Sequence, residues 1–245
     1  MSSEGIHPTL QPLLRRFVTE LENLFKKDLR CVCLFGPSVQ GQFIAGTTEV
    51  NVLIVLDNYQ SSNLRQLAPA VQAARREFLL EPLLFTNLDL LDSTDVFPLR
   101  ILQVKRSYRL LSGVDVLKEL ALQPEHIRLA CEREAKSIVM RLRQLYLIQS
   151  GLRPFWREAL IESVTVLFQL LRCALELSGI AIPEEEEGLL ELSEREMGVD
   201  PAAIMRVFLL KFQNDRNERQ NLEQIFLQYL NTVECVSRYI DRLSS

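Results

Sequence analysis

The first apolar positions of the chain, Leu10, Leu13, Leu14, Phe17, Val18, Leu21, Leu24 and Phe25, recur at steps of three and four. That period gathers them on one side of a helix, so an amphipathic helix is predicted over Pro8 to Lys27, with an apolar side that needs a partner surface. Two short runs rich in β-branched residues follow, at Leu29 to Phe35 and Val50 to Leu56, each bounded by polar or glycine-containing turns. Both predict strands. In the second run the polar alternation ends after Asn51, which predicts a strand covered on both faces. Ser61, Ser62 and Asn63 offer caps to a helix ending near Phe78, with Leu64, Leu67, Val71, Ala74 and Phe78 on one face and Pro69 delaying its regular start. A strand is expected at Leu83 to Thr86, then a loop through Asp95, a short helix from Pro98 to Lys105, and a last strand near Arg109 to Leu111, closed by Gly113.

From Pro124 onward the strand signals vanish and the period is helical. Ile127, Ala130, Cys131, Ile138, Leu142 and Leu145 trace one helix ending at Ser150-Gly151, and a second runs from Pro154 to Leu177. Pro183 with Glu184 to Glu187 reads as the first turn of a third, where carboxylates suit the helix dipole and point outward into solvent. Asp200-Pro201 caps a fourth that extends to Phe212, and Asn221 to Leu243 carries a fifth. The expected organisation is therefore an α+β domain over residues 1–120 and an all-α helical bundle over residues 121–245.

Composition narrows the function classes. The 245 residues, 47% hydrophobic and 24% charged, suit a folded chain of two modest domains. A net charge of -4 gives no global basic field, so nucleic acid is not indicated as a partner. The five cysteines lie mostly in apolar periodic segments and are expected to be reduced core thiols; Cys31 and Cys33, two apart on a strand, point to one face but lack the further ligands that zinc needs. The first ten residues have neither the basic nor the apolar region of a secretory signal, and the apolar stretch Val164 to Ile182 is broken by Gln169, Arg172 and Glu176 at helical spacing. A cytoplasmic protein without a membrane span is expected.

The chemistry concentrates in Leu34 to Leu56. A glycine turn after a strand brings backbone N–H groups close to phosphate oxygens, and side chains two apart on the next strand share one face, where carboxylates hold divalent ions. Glu49 and Asn51 occupy that alternate pair. Phe35-Gly36-Pro37-Ser38, Gly41, Gly46 and Thr48-Glu49-Val50-Asn51 together resemble the nucleotidyltransferase superfamily of the DNA polymerase beta and MNT type, in which a strand and Gly-Ser are followed by Asp-x-Asp entering the next strand. Val96 to Leu99 and Leu110 to Gly113 are similar to that family's closing helix and strand. The resemblance implies a mixed sheet with flanking helices and a nucleoside triphosphate held by Gly36, Ser38, Gly41 and Thr48. It also implies Mg²⁺ on Glu49, if catalysis is retained.

Departures from the pattern bear on activity. Asn51 removes a carboxylate charge, and Mg²⁺ sites lean on one or two carboxylates. Pro37 has no N–H to give a phosphate. The third acid should come from the strand at Leu83 to Thr86, where only Glu81, just before Pro82, is near. Glu49 and Asn51 are therefore read as vestigial catalytic positions in a degenerate, non-catalytic protein that binds a nucleotide or a protein partner. The alternatives are an active metal-dependent nucleotidyltransferase using Glu49, and a purely structural adaptor. In the bundle, Arg128, Glu132 and Lys136 stand at steps of four and predict surface ion pairs, with a phosphate contact from Arg133 or Lys136 as the functional counterpart. His7 is expected in a disordered lead and His126 at a helix start. Asn214 to Arg219 lacks the His that an Arg-His ribonuclease motif requires.

Overall fold

Burial on both faces of one strand organises the first half of the chain. In the computed structural model, which describes residues 5–58, 60–148, 153–183, 185–212 and 222–243, strand β2 (Val50–Leu56) exposes no side chain except, partly, Asn51. The chain divides into two compact units, Met1–Gln123 and Pro124–Ser245.

In the first unit, β2 lies between β1 (Leu29–Phe35), which pairs antiparallel to it, and β3 (Leu80–Thr86), which pairs parallel. The fourth strand, β4 (Tyr108–Gly113), runs antiparallel on the far side of β1, giving the mixed order β3-β2-β1-β4. Alternation then sorts the side chains. Val32, Leu34, Val50, Val52, Ile54 and Leu56 face α1 (Leu10–Phe25) and α2 (Ser61–Phe78), which cover them with Leu14, Phe17, Leu21, Leu67, Ala74 and Phe78. Cys31, Cys33, Phe35, Leu53 and Val55 face the other way, against Leu90 of α3 (Asn87–Asp92) and Ile101 and Val104 of α4 (Pro98–Arg106). Each such Leu, Ile or Phe, fully buried, contributes ~1.5–3 kcal/mol, so the two layers carry most of this unit's stability.

Four details differ from the sequence expectation, each for a local reason. The cap of α2 is Gln60, whose N–H donates to Asn63 Oδ1 at 2.6 Å, so the helix starts at Ser61 in spite of Pro69 within it. Strand β3 starts at Leu80 rather than Leu83; as an edge strand it accommodates Pro82, which has no N–H to give. The expected loop after Thr86 contains α3, nucleated by a capping box in which Asp89 N–H donates to Thr86 Oγ1 at 2.9 Å and Thr86 N–H to Asp89 Oδ2 at 3.3 Å. His7, expected in a disordered lead, packs against the loop, with Ile6 buried beside it, its ring 5.7 Å from that of Phe43 and its Nδ1 2.8 Å from Thr9 Oγ1.

The second unit contains α5 (Pro124–Ile148), α6 (Arg153–Leu177), α7 (Glu186–Met197), α8 (Pro201–Leu209) and α9 (Leu222–Arg242). Leu222, Phe226, Tyr229, Val233, Val236 and Ile240 repeat at alternating steps of four and three along α9, and all six are buried in its contacts with α5, α6 and α8. Trp156 packs between Tyr146 and Phe226, with ring centroids at 5.3 and 5.0 Å. Asp200 Oδ1 accepts from the N–H groups of Ala202 and Ala203 and so starts α8, while Glu186 and Glu187 lie exposed in the first turn of α7. The expected helix limits at Ser150-Gly151, Glu184 and Asn221, and the segment Asn214 to Arg219, lie outside the described residues. Among the described residues no helix is long and apolar enough to cross a membrane.

Gly113 fixes the end of β4. Its φ is +85°, and a Cβ there would lie 2.2 Å from the carbonyl oxygen of Arg30 on the neighbouring strand. Gly113→Ala is expected to destabilise the protein by ~3 kcal/mol or more, because backbone on a paired strand must move. Urea denaturation measures this, and a loss under ~1 kcal/mol would contradict the stated packing.

Candidate functional site

The turn after β1 is built by two glycines that the backbone demands. Gly36 has φ +80° and ψ -158°, a region that only glycine enters readily, and its N–H donates to Ser107 O at 2.9 Å. A 3-10 turn, Pro37–Gln40, follows with proline at its start, and Gly41 ends it in the left-handed region at φ +78°. A Cβ on Gly41 would come within 3.1 Å of Gly5 O.

The hydroxyls of the expected phosphate cradle are turned to other uses. Ser38 is fully buried, and among the described residues its Oγ has no hydrogen-bond partner. Thr48 Oγ1 accepts from Ile44 N–H at 2.9 Å, and Thr48 N–H donates back to Ile44 O at 2.9 Å, so this threonine closes its own loop. Glu49 stands exposed just ahead of β2.

Sheet register brings Asn51 and Glu81 side by side. Asn51 pairs with Phe35 on β1 and with Glu81 on β3. Residues paired in this way point to one face, here the face of Phe35, Leu53 and Val55. The Asn51 amide lies against the turn, and a Cβ on Gly36 would meet its Nδ2 at 3.6 Å. Glu81 does not face the site alone. Arg75, in the last turn of α2, grips it with two contacts, Nη2–Oε1 at 2.7 Å and Nη1–Oε2 at 3.0 Å. A single left-handed residue, Leu79 at φ +52°, joins α2 to β3 and keeps the two side chains close. Sequence reasoning placed Glu81 outside the strand and missed Arg75 entirely. The available signal was a basic helix end followed six residues later by an acid across a very short connection.

The donor set does not fit the divalent ion that the family resemblance implies. Glu49 is exposed, Asn51 is neutral, and Glu81 is bound to a guanidinium. Among the described residues no group of three or more His, Cys, Asp or Glu side chains could hold a metal ion.

A second polar cluster lies on the same face of the sheet. Tyr108 OH donates to Asp115, 3.1 and 3.0 Å from its two carboxylate oxygens, and Asp115 Oδ1 also accepts from the N–H groups of Leu117 and Lys118. Cys31 and Cys33 are free, buried thiols whose sulfurs lie 3.3 Å apart. The bond to Cys31, then burial, hold the Cys33 thiol protonated, far above the ordinary thiol value; the same bond lowers Cys31.

Two outcomes follow from this geometry. An unpartnered buried hydroxyl costs ~1–3 kcal/mol, so Ser38→Ala is expected to leave stability unchanged or raise it, and a loss above ~1 kcal/mol in denaturant titration would show that Ser38 has a partner. Burial, and then the bond to Asp115, push Tyr108 up to about 12 from 10.0. The folded state therefore favours the neutral phenol, and its contribution is complete below pH 10 and lost as pH climbs toward 12. Tyr108→Phe is expected to flatten the alkaline limb of a stability-against-pH curve, and an unchanged limb would contradict the assignment.

No protein-family model matches the chain, and no curated protein matches it in sequence. Among solved structures it is similar to the spectinomycin adenyltransferase AAD(9) from Enterococcus faecialis, whose crystal structure was determined with ATP and spectinomycin. The TM-score is 0.57 and the sequences are 11% identical, with 90% of this chain and 99% of that one covered. At this identity the likeness concerns the fold, and together with the mixed four-stranded sheet it establishes a nucleotidyltransferase-like α+β architecture with a helical C-terminal part.

Proposed function

We propose that this protein is a non-catalytic member of the nucleotidyltransferase-like fold that works as a binding module for a protein partner. The observation that carries the reading is Asn51, a neutral side chain near the start of β2 where shared-metal chemistry needs a carboxylate, with its neighbour Glu81 held by Arg75. Magnitudes rank the two. A pair of unit charges ~4 Å apart interacts by ~4 kcal/mol at an effective dielectric of ~20, and twice that for a divalent ion, so losing one carboxylate outweighs other changes. The Arg75–Glu81 pair is partly exposed and is worth ~1 kcal/mol or less, which a metal could displace. Asn51 is thus the decisive substitution and Arg75 a secondary one.

Two further features favour partner binding over nucleotide binding. Ser38 and Thr48 have their hydroxyls buried or engaged in the loop, away from a phosphate. Leu88, Leu91, Val96 and Phe97, within ten residues of one another, are 65%, 51%, 47% and 55% exposed, the kind of apolar surface that protein contacts cover.

Calorimetric titration with ATP, GTP and CTP, with and without Mg²⁺, tests the proposal alongside an assay for transfer of labelled nucleotidyl groups. The wild-type chain is expected to show no metal-dependent binding and no transfer. Asn51→Asp is expected to create Mg²⁺-dependent ATP binding, and adding Arg75→Gln to tighten it by up to about fivefold, in line with an exposed ion pair of ~1 kcal/mol. Metal-dependent binding with transfer by the wild type would overturn the proposal, whereas weak metal-independent binding would return the reading to a nucleotide-binding module.

A further inference from the structure

A groove of about 340 Å³ opens between α5 and α9 in the second unit, and its walls combine two kinds of surface. Val139 and Met140 supply an apolar side, with Met140 69% exposed, while Lys136, Arg143, Glu234 and Arg238 supply charge. The charges divide into two groups. Lys136 is held by Glu132 at 2.6 Å and by Asp241 at 2.9 Å, and Arg128 joins Glu132 at 3.1 Å, so that group is neutral in sum. In the other, among the described residues, a single carboxylate serves two guanidinia. Glu234 Oε1 accepts from Arg143 Nη2 at 2.8 Å and from its Nε at 3.2 Å, and Oε2 lies 4.0 Å from Arg238 Nη1. This group retains one positive charge, beside an exposed thioether and at the mouth of a small-molecule-sized groove.

We propose that the groove binds a small amphiphilic anion, a carboxylate or phosphate monoester on a compact apolar body, with its head between Arg143 and Arg238 and its body over Met140 and Val139. Each part of the ligand answers one wall. Guanidinium donors bind carboxylate and phosphate with directed, charge-assisted hydrogen bonds. Methionine, flexible and polarizable, adapts to an apolar body of undefined shape. Glu234 is the competitor that the ligand must share the two arginines with, which gives the proposal a sign. The site stands independently of the reading of the first unit, because no residue of β1–β4 takes part.

Calorimetric titration of the full chain with octanoate, phenyl phosphate, inorganic phosphate and octylamine tests it. At least one of octanoate and phenyl phosphate is expected to bind saturably, about tenfold tighter than inorganic phosphate and than octylamine, and the tighter of the two identifies the head. Arg143→Gln with Arg238→Gln should weaken that binding by about tenfold or more, while Glu234→Gln should tighten it. The proposal is overturned by the absence of saturable binding of both amphiphilic anions at millimolar concentration, by equal binding of octylamine, or by weaker binding in Glu234→Gln. If the double variant does not fold, as far-ultraviolet circular dichroism would show, the Glu234→Gln result alone decides.

Discussion

The pairing of β2 on both edges is the constraint on which the first unit depends. A strand whose side chains are buried on both faces cannot slip by one residue, since a slip would move every side chain to the opposite layer. Val52, Ile54 and Leu56 lock one layer against α1 and α2, and Leu53 and Val55 lock the other against α3 and α4. The register that results is not negotiable locally. It sets Asn51 opposite Phe35 on one side and Glu81 on the other, and it points Asn51 at the glycine turn after β1.

A scaffold fixed in this way preserves the geometry of a site whatever chemistry occupies it. The turn from Gly36 to Gly41 has backbone conformations that need glycine, and Asn51 and Glu81 share one face beside it. The charges around that turn are then as follows. The central position is neutral, the neighbouring acid is neutralised by a guanidinium from the adjoining helix end, and the Ser38 hydroxyl is packed inside. The proposed non-catalytic reading rests on these three features together, a neutral Asn51, a paired Glu81 and a buried Ser38.

Much of this was legible in the sequence where the signal is local. The strands at Leu29 to Phe35 and Val50 to Leu56 were readable from apolar runs, and the five bundle helices from their periods, prolines and caps. The capping pair Thr86 and Asp89 is equally local, but a six-residue helix carries too little periodicity to mark itself in the sequence. Non-local facts were illegible. Nothing in the string says that β3 pairs parallel to β2 in the register that sets Glu81 beside Asn51, and the apolar run alone places the strand at Leu83 to Thr86, past Glu81. The grip of Arg75 on Glu81 depends on Leu79 adopting a left-handed conformation that a leucine rarely takes. The burial of Ser38 and the anchoring of His7 against Phe43 likewise depend on how the loop folds back on the N-terminal segment.

The central claim is that Glu49, Asn51 and Glu81 hold no divalent ion between them. Crystals grown with Mn²⁺ and a non-hydrolysable ATP analogue, measured at the manganese absorption edge, address it directly. The account predicts no anomalous peak beside these residues and an intact Arg75–Glu81 pair. A manganese peak bridging Glu49 and Glu81, with Arg75 displaced, would contradict it.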